Sequence, residues 1–244
     1  MNNWITPNWQ ASANIHAAMT LRSGGFSVGA YDSFNLALHV GDDEDTVLKN
    51  RALLKQSLAL PAEPVWLTQT HSKIVVHADK TAPLTEADAS YTDQAGIVCA
   101  VMTADCLPVL MCSNDGLEIA AIHAGWKGLQ AGIISNTLEK FKNKDVCVWL
   151  GAAIGANSFE VGLDVYHAFT DKNPACSSAF KQTSSEKFLA DIYQLAKIEL
   201  AERGVLNVSG GEYCTYTEQD KFYSYRKTAK TGRMATLIWR TETP

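Results

Sequence analysis

The chain has 244 residues, 46% of them apolar and 19% charged, enough to bury a sizeable core. A net charge of −5, a pI near 5.7 and no long basic run argue against nucleic acid as a partner. The opening Met1-Asn2-Asn3-Trp4 has no charged region followed by an apolar one, and no apolar run nears the roughly 18 residues a membrane span needs. The expectation is a cytoplasmic protein with no membrane partner, in one domain spanning residues 1–244, monomeric or a small homo-oligomer.

In chain order, Asn14 to Arg22 reads as a strand ended by Ser23-Gly24-Gly25. Asp42-Asp43-Glu44-Asp45 caps a helix that runs to about Leu60, where Pro61 stops it. Val65–Thr70 and Lys73–Ala78 read as short strands, and Ile97–Met102, Leu107–Cys112 and Leu117–His123 as buried ones. Trp126, Leu129, Ile133, Ile134, Leu138 and Phe141 fall at helical spacing. Val146–Ile154 follows as a strand, then a helix over Ser185–Arg203 with Gly204 past its end. Strands close the chain near Val205–Ser209, Tyr223–Arg226 and Met234–Trp239. Strands and helices mix without strict alternation, which predicts a layered α+β domain rather than a Rossmann sheet. Dinucleotide and phosphate-loop signatures are absent.

Six cysteines, at 99, 106, 112, 147, 176 and 214, include no Cys-x-x-Cys. Cys99, Cys112 and Cys147 lie in apolar runs and read as buried thiols, not as a disulfide framework. Cys106, beside Asp105 and before Leu107-Pro108, stands apart, as do His71 in Thr-Gln-Thr-His-Ser and His123 before Ala124-Gly125. Pro108 favours a bend, and small residues after His123 let the backbone approach a ligand closely. Two imidazoles and a thiolate suit Zn²⁺ or copper, and three ligands leave the fourth position open, as catalytic sites do.

The segments around His71, Cys106 and His123, with Thr20–Gly25, Tyr31–Leu36, His39–Asp42, Tyr213–Tyr216, Phe222–Arg226 and Thr231–Ala235, resemble those of the YfiH family. It is also called the laccase-domain or peptidoglycan-editing-factor family, and the likeness spans nearly the whole chain. The resemblance implies a YfiH-like layered α/β fold with mixed β-sheets. It also implies a metal, zinc or in some accounts copper, on His71, Cys106 and His123. The implied activity is phosphorolysis of purine nucleosides (adenosine, inosine, guanosine, methylthioadenosine) with adenosine deamination. Its partners would be purine nucleosides and phosphate.

A four-copper laccase needs more than the six histidines here and uses His-x-His pairs, which this chain lacks. A single blue copper with Met102 or Met111 as axial ligand is the most this histidine count supports. Deamination asks for an activated water and an acid/base, for which Asp105 is the candidate. The cytidine-deaminase zinc signature is missing. Phosphorolysis asks for cations. Arg22, next to two glycines, and Arg226 are the candidates, with Asn35 for ribose or base. Lys227 and Lys230, which share a basic cluster with Arg226 and Arg233, read as a solvated edge. His16, His77 and His167 read as packing, and His39 as structural. Two alternatives stand beside the phosphorylase. One is a metal-free Cys–His hydrolase that edits a peptidoglycan precursor, with Cys106 as nucleophile, a reading aided by the fold's kinship to a toxin deamidase. The other is a single-copper, polyphenol oxidase-like protein.

Overall fold

A computed structural model describes residues 3–242. Its first sheet is antiparallel, in the order β1 (Trp4–Ile5), β2 (Ile15–Thr20), β13 (Met234–Arg240), β5 (Val98–Thr103). The second has six strands: β12 (Val208–Gly210), β8 (Val146–Leu150), β6 (Leu107–Ser113), β7 (Ile119–Ala124), β4 (Ala89–Thr92), β3 (Val75–His77). Its two outer pairs are parallel and its inner ones antiparallel. A small antiparallel sheet orders β10 (Phe180–Gln182), β11 (Lys187–Ala190) and β9 (Glu160–Gly162). The helices are α1 (Glu44–Ser57), α2 (Trp126–Gln130), α3 (Ile133–Lys140), α4 (Leu163–Thr170) and α5 (Ile192–Glu202). This is the expected layered fold with mixed sheets. No helix of the described residues is long and apolar enough to cross a membrane.

Side-chain alternation explains why the central runs are apolar throughout. In β6, Val109 and Met111 face a helical layer that includes Leu138 and Leu195, while Leu110 and Cys112 face the four-stranded sheet. Cys147 and Trp149 of β8 and Ile119 and Ala121 of β7 join that inter-sheet core, met by Met19, Val101 and Ile238. The outer face of the four-stranded sheet, with Val98, Ala100 and Leu237, packs on Leu54 of α1. A strand buried on both faces shows no period of two, and that is why these segments read as continuous runs.

The boundaries differ from expectation where local backbone chemistry intervenes. Asp43 caps α1 as predicted, accepting the Thr46 N–H at 2.8 Å. The helix stops at Ser57, and Ala59 takes φ 47° before Pro61. The single helix expected over 126–141 is two, broken at Gly132 with φ 90°. Residues 185–203 are not one helix. Lys187–Ala190 pairs with strands on both sides, and Asp191 then caps α5 by accepting the Gln194 N–H at 3.0 Å. Val65 and Thr68 make only isolated bridges, and 223–226 forms no strand, its second half being part of a turn over 225–227. The strand expected over 146–154 ends at Leu150, before Gly151.

All six cysteines are free, and Cys99, Cys112 and Cys147 are fully buried, as expected. Cys112 and Cys147 face each other across β6 and β8 with sulfurs 3.1 Å apart.

Candidate metal centre

The link 104–106 carries the chain from β5 in one sheet to β6 in the other. Asp105 turns there with φ 86°, a left-handed value that costs a non-glycine residue about 1–3 kcal/mol and must be supported from outside. Its carboxylate accepts the Thr215 hydroxyl and the Arg226 amide, both at 2.6 Å, and its carbonyl accepts the Ile154 amide at 2.9 Å. The turn delivers Cys106 to the wall of a cavity of about 460 Å³ at the ends of both sheets.

His123, near the end of β7, is buried, and its Nδ1 lies 2.7 Å from Asp88 Oδ1. Burial alone would raise the Asp88 pKa, but hydrogen bonds from His123 and Ser72 and the nearby imidazolium charge hold it at about 2. An ionised carboxylate only accepts, so Nδ1 donates and Nε2 is the nitrogen left for the cavity. His71 lies in the loop before β3, at φ 59°. Its ring meets that of His123 edge to face, centroids 4.8 Å apart.

The donor atoms of His71, Cys106 and His123 all lie within 4.8 Å of one another. Metal bonds of about 2.3 Å to sulfur and about 2.05 Å to nitrogen, at a tetrahedral angle, set such donors about 3.6 Å apart. Cys106 Sγ and His71 Nε2 are 3.6 Å apart. Burial would push the Cys106 thiol up, but the charge and hydrogen bonds of His123 and His71 bring it down to about 6. The same partnership, with Asp88, raises His123 to about 9 against its own burial. The donor set therefore fits a metal ion. It fits one only: it is the one group of three or more His, Cys, Asp or Glu donors among the described residues.

The pKa of Cys106 predicts its chemistry without metal. Its thiolate is lost as pH falls through about 6, whereas a free thiol loses it near 8.5. Alkylation of chelator-stripped native protein by iodoacetamide should therefore reach half its maximal rate near pH 6. Cys99, Cys112 and Cys147 should react only on unfolding. A midpoint above pH 8 for Cys106 would show that the thiolate–imidazolium pair does not form.

Gly125 keeps the site open. Its backbone, φ −62° and ψ 156°, suits any residue, but a Cβ would lie 2.6 Å from His71 Cδ2 and 3.0 Å from Cys106 Sγ. Gly125→Ala should fold and yet displace His71. The expected result is a melting temperature within a few degrees of wild type and loss of bound metal on dialysis, read by elemental analysis. Retention of a full equivalent would refute the steric argument.

Of the other residues singled out in the sequence, Asp105 and Arg226 line this cavity. Arg22 does not. Its guanidinium is spent on the carbonyls of Asp32, at 2.9 and 3.1 Å, and Gln219, at 2.9 Å, in a separate small pocket. Asn35 is also outside, fully buried, with its amide bonded to Ala37 and Asp42. It acts at one remove, accepting the Arg233 amide at 3.0 Å. Met102 lines the cavity, whereas Met111 is buried against the helices.

Two residues passed over in the sequence belong here. His39, read as structural, forms part of the cavity wall, its pKa lowered by burial and by the charges of Arg233 and Arg51. Arg233, grouped with the solvated lysines, is half-buried in the same wall. Its Nη1 donates to the carbonyls of Thr231 at 2.9 Å and Gly232 at 3.0 Å, and its Cζ lies 5.7 Å from the Tyr225 ring centre. Arg226 is braced likewise, on the Glu160 carbonyl at 2.8 Å and the Phe159 ring at 5.4 Å. Nε and Nη2 of both have no hydrogen-bond partner among the described residues. Lys227 and Lys230 are exposed, as expected.

Fold and site together define a layered, mixed-sheet protein built around one open two-histidine, one-cysteine donor set. The chain belongs to the YfiH family, whose model is described as "multi-copper polyphenol oxidoreductase laccase" and matches residues 16–241. It is 48% identical over 242 residues to a protein of Shigella flexneri named purine nucleoside phosphorylase YfiH, covering 98% of this chain and 99% of that one. A Pseudomonas aeruginosa protein named purine nucleoside phosphorylase is 45% identical with the same coverage. The crystal structure of a Neisseria meningitidis protein superposes with TM-score 0.96 at 46% identity, over 99% of this chain and 100% of that one. That of YlmD from Geobacillus stearothermophilus gives 0.90 at 30% identity, over 99% and 97%. A cluster of several coppers does not fit the single donor set found among the described residues.

Proposed function

We propose that this protein is a zinc-dependent purine nucleoside phosphorylase that also deaminates adenosine. The observation that carries this reading is one cavity holding both an open metal donor set and two guanidinium groups with unspent donors. Its volume, about 460 Å³, lies in the range that buries a nucleoside-sized ligand. The names of the Shigella and Pseudomonas relatives support it.

His71, Cys106 and His123 would hold the zinc ion, which would supply a Lewis acid. The rest falls to the chain. Arg226 and Arg233 hold and orient phosphate through charge-assisted bonds. A phosphate oxygen forms the bond to ribose C1′ as the C1′–N9 bond breaks, and the purine leaves with the electron pair and takes up the proton that hydrogenphosphate gives up. Trp126 and Phe159 wall the cavity against water. For deamination Asp105 is the proposed acid/base. Its two accepted hydrogen bonds leave lone pairs on both oxygens.

Adenosine incubated with the protein, with and without phosphate, before and after chelation, tests this reading. Phosphate-dependent adenine release and phosphate-independent inosine formation, both lost on chelation, are expected. Turnover that persists in metal-free protein would overturn it. No product in any condition would overturn it as well, and would favour a Cys–His hydrolase acting on a peptidoglycan precursor, for which the thiolate–imidazolium pair of Cys106 and His123 is the specific support.

A further inference from the structure

Asp88 sits at the head of β4, between the two histidine-bearing segments. Its carbonyl accepts the His123 amide at 2.7 Å, and its own amide donates to the Ile74 carbonyl at 3.1 Å. Its side chain, fully buried, faces the same two neighbours. Oδ1 accepts Nδ1–H of His123 at 2.7 Å and the amide of His71 at 3.0 Å. Oδ2 accepts the amide of Ser72 at 2.6 Å, its hydroxyl at 2.7 Å and the amide of Thr70 at 3.2 Å. Those three amides belong to the turn that holds His71 at φ 59°, a conformation a β-carbon resists.

We propose that Asp88 is the positioning residue of the metal centre, one carboxylate that sets both histidine donors at once. It gathers the 70–72 turn by its backbone amides, which fixes where His71 stands. It also holds the proton of His123 on Nδ1, which leaves the Nε2 lone pair for a metal ion. This inference rests on the metal-site reading alone and not on the nucleoside chemistry.

An amide cannot do the same work. Six donors converge on the two carboxylate oxygens, the Thr70 hydroxyl at 3.5 Å being the sixth, and an asparagine side chain in place of Asp88 would offer one oxygen and turn an NH₂ toward N–H groups. Where that NH₂ meets His123 it would donate to Nδ1, moving the ring proton to Nε2 and closing that nitrogen to metal. The site would fail by tautomer, not only by looseness.

The test compares wild type, Asp88→Asn and Ser72→Ala, each stripped and titrated with Zn²⁺ alone against a chromophoric chelator. Long-range ¹H–¹⁵N spectra of the zinc-treated proteins read the His123 tautomer. Asp88→Asn should weaken Zn²⁺ binding at least the 10–100-fold typical of lost supporting bonds and shift the His123 proton to Nε2. Ser72→Ala removes one donor to Oδ2 and should weaken binding less, with the tautomer unchanged and adenosine turnover falling only in step with lost zinc. Equal affinity in wild type and Asp88→Asn, or a His123 proton on Nε2 in the wild type, would overturn the proposal. Should Asp88→Asn fail to fold, the wild-type tautomer and the Ser72→Ala affinity still decide it. If the wild type takes up no zinc, the metal reading falls and this inference with it. If zinc binds as described but no nucleoside is turned over, Asp88 keeps its role and only the phosphorylase reading fails.

Discussion

Cys106→Ala is expected to release the metal and abolish nucleoside turnover together. The thiolate is the only anionic donor in the set, so its removal leaves two neutral imidazoles to hold a dication. The effect should exceed the roughly 10–100-fold loss that follows removal of a merely supporting hydrogen bond. Removal of the thiolate also takes away the charge that raises His123, so the imidazole should titrate closer to its ordinary value near 6.5. Elemental analysis and product formation from adenosine, measured on the same samples, read both effects. The fold should survive, because the strain of the link sits at Asp105 and its hydrogen bonds to Thr215 and Arg226 are untouched. A variant that stays folded and metal-free yet turns over adenosine would remove zinc from the reaction.

Arg233→Gln should separate the two proposed reactions. The wild-type guanidinium is pre-positioned by two carbonyls on Nη1, so its remaining donors reach an anion with little rotamer entropy to lose. Loss of one such donor from a preorganised anion site costs about 10²–10³-fold in turnover. We expect a fall of that order in phosphate-dependent adenine release, with a raised KM for phosphate. Inosine formation, which uses no phosphate, should change by less than about tenfold. Arg233→Lys keeps the charge but loses the planar fork, and should recover only part of the loss. An unchanged phosphate KM in Arg233→Gln would move the anion site elsewhere in the cavity.

The three candidate donors, which the fold gathers at one cavity, were legible because their chemistry is local. A histidine or cysteine keeps its ligand character wherever the chain folds, and each stood in a short motif that resembles those of the YfiH family. The second layer was not. Asp88 sits in Glu86-Ala87-Asp88-Ala89, where nothing marks it. Its role exists only because β4 pairs with β7 and places it beside His123. Arg22 misled for the converse reason: cations beside glycines suggest an anion cradle, but its donors are satisfied by the backbone. Arg226 and Arg233 share one sequence cluster with Lys227 and Lys230, and only the course of the chain over 224–232 decides which of them line the cavity. The missed strand β11 has a similar cause. Phe188 and Leu189 extend the helical spacing of α5 backwards, and the cap at Asp191 is the one signal that separates them.

The order in which the strands are made carries a further consequence. β13 lies in the middle of the four-stranded sheet, between β2 and β5. The 130 residues 104–233 separate Thr103, the last residue of β5, from Met234, the first of β13. At about 5–20 residues per second, that gap lasts on the order of 10 s during synthesis. Throughout it the nascent chain carries two apolar strands with unpaired edges, the state most open to aggregation and to chaperone capture. Arg233 precedes β13 by one residue, so the cationic wall of the cavity is put in place by the same late pairing that seals the sheet.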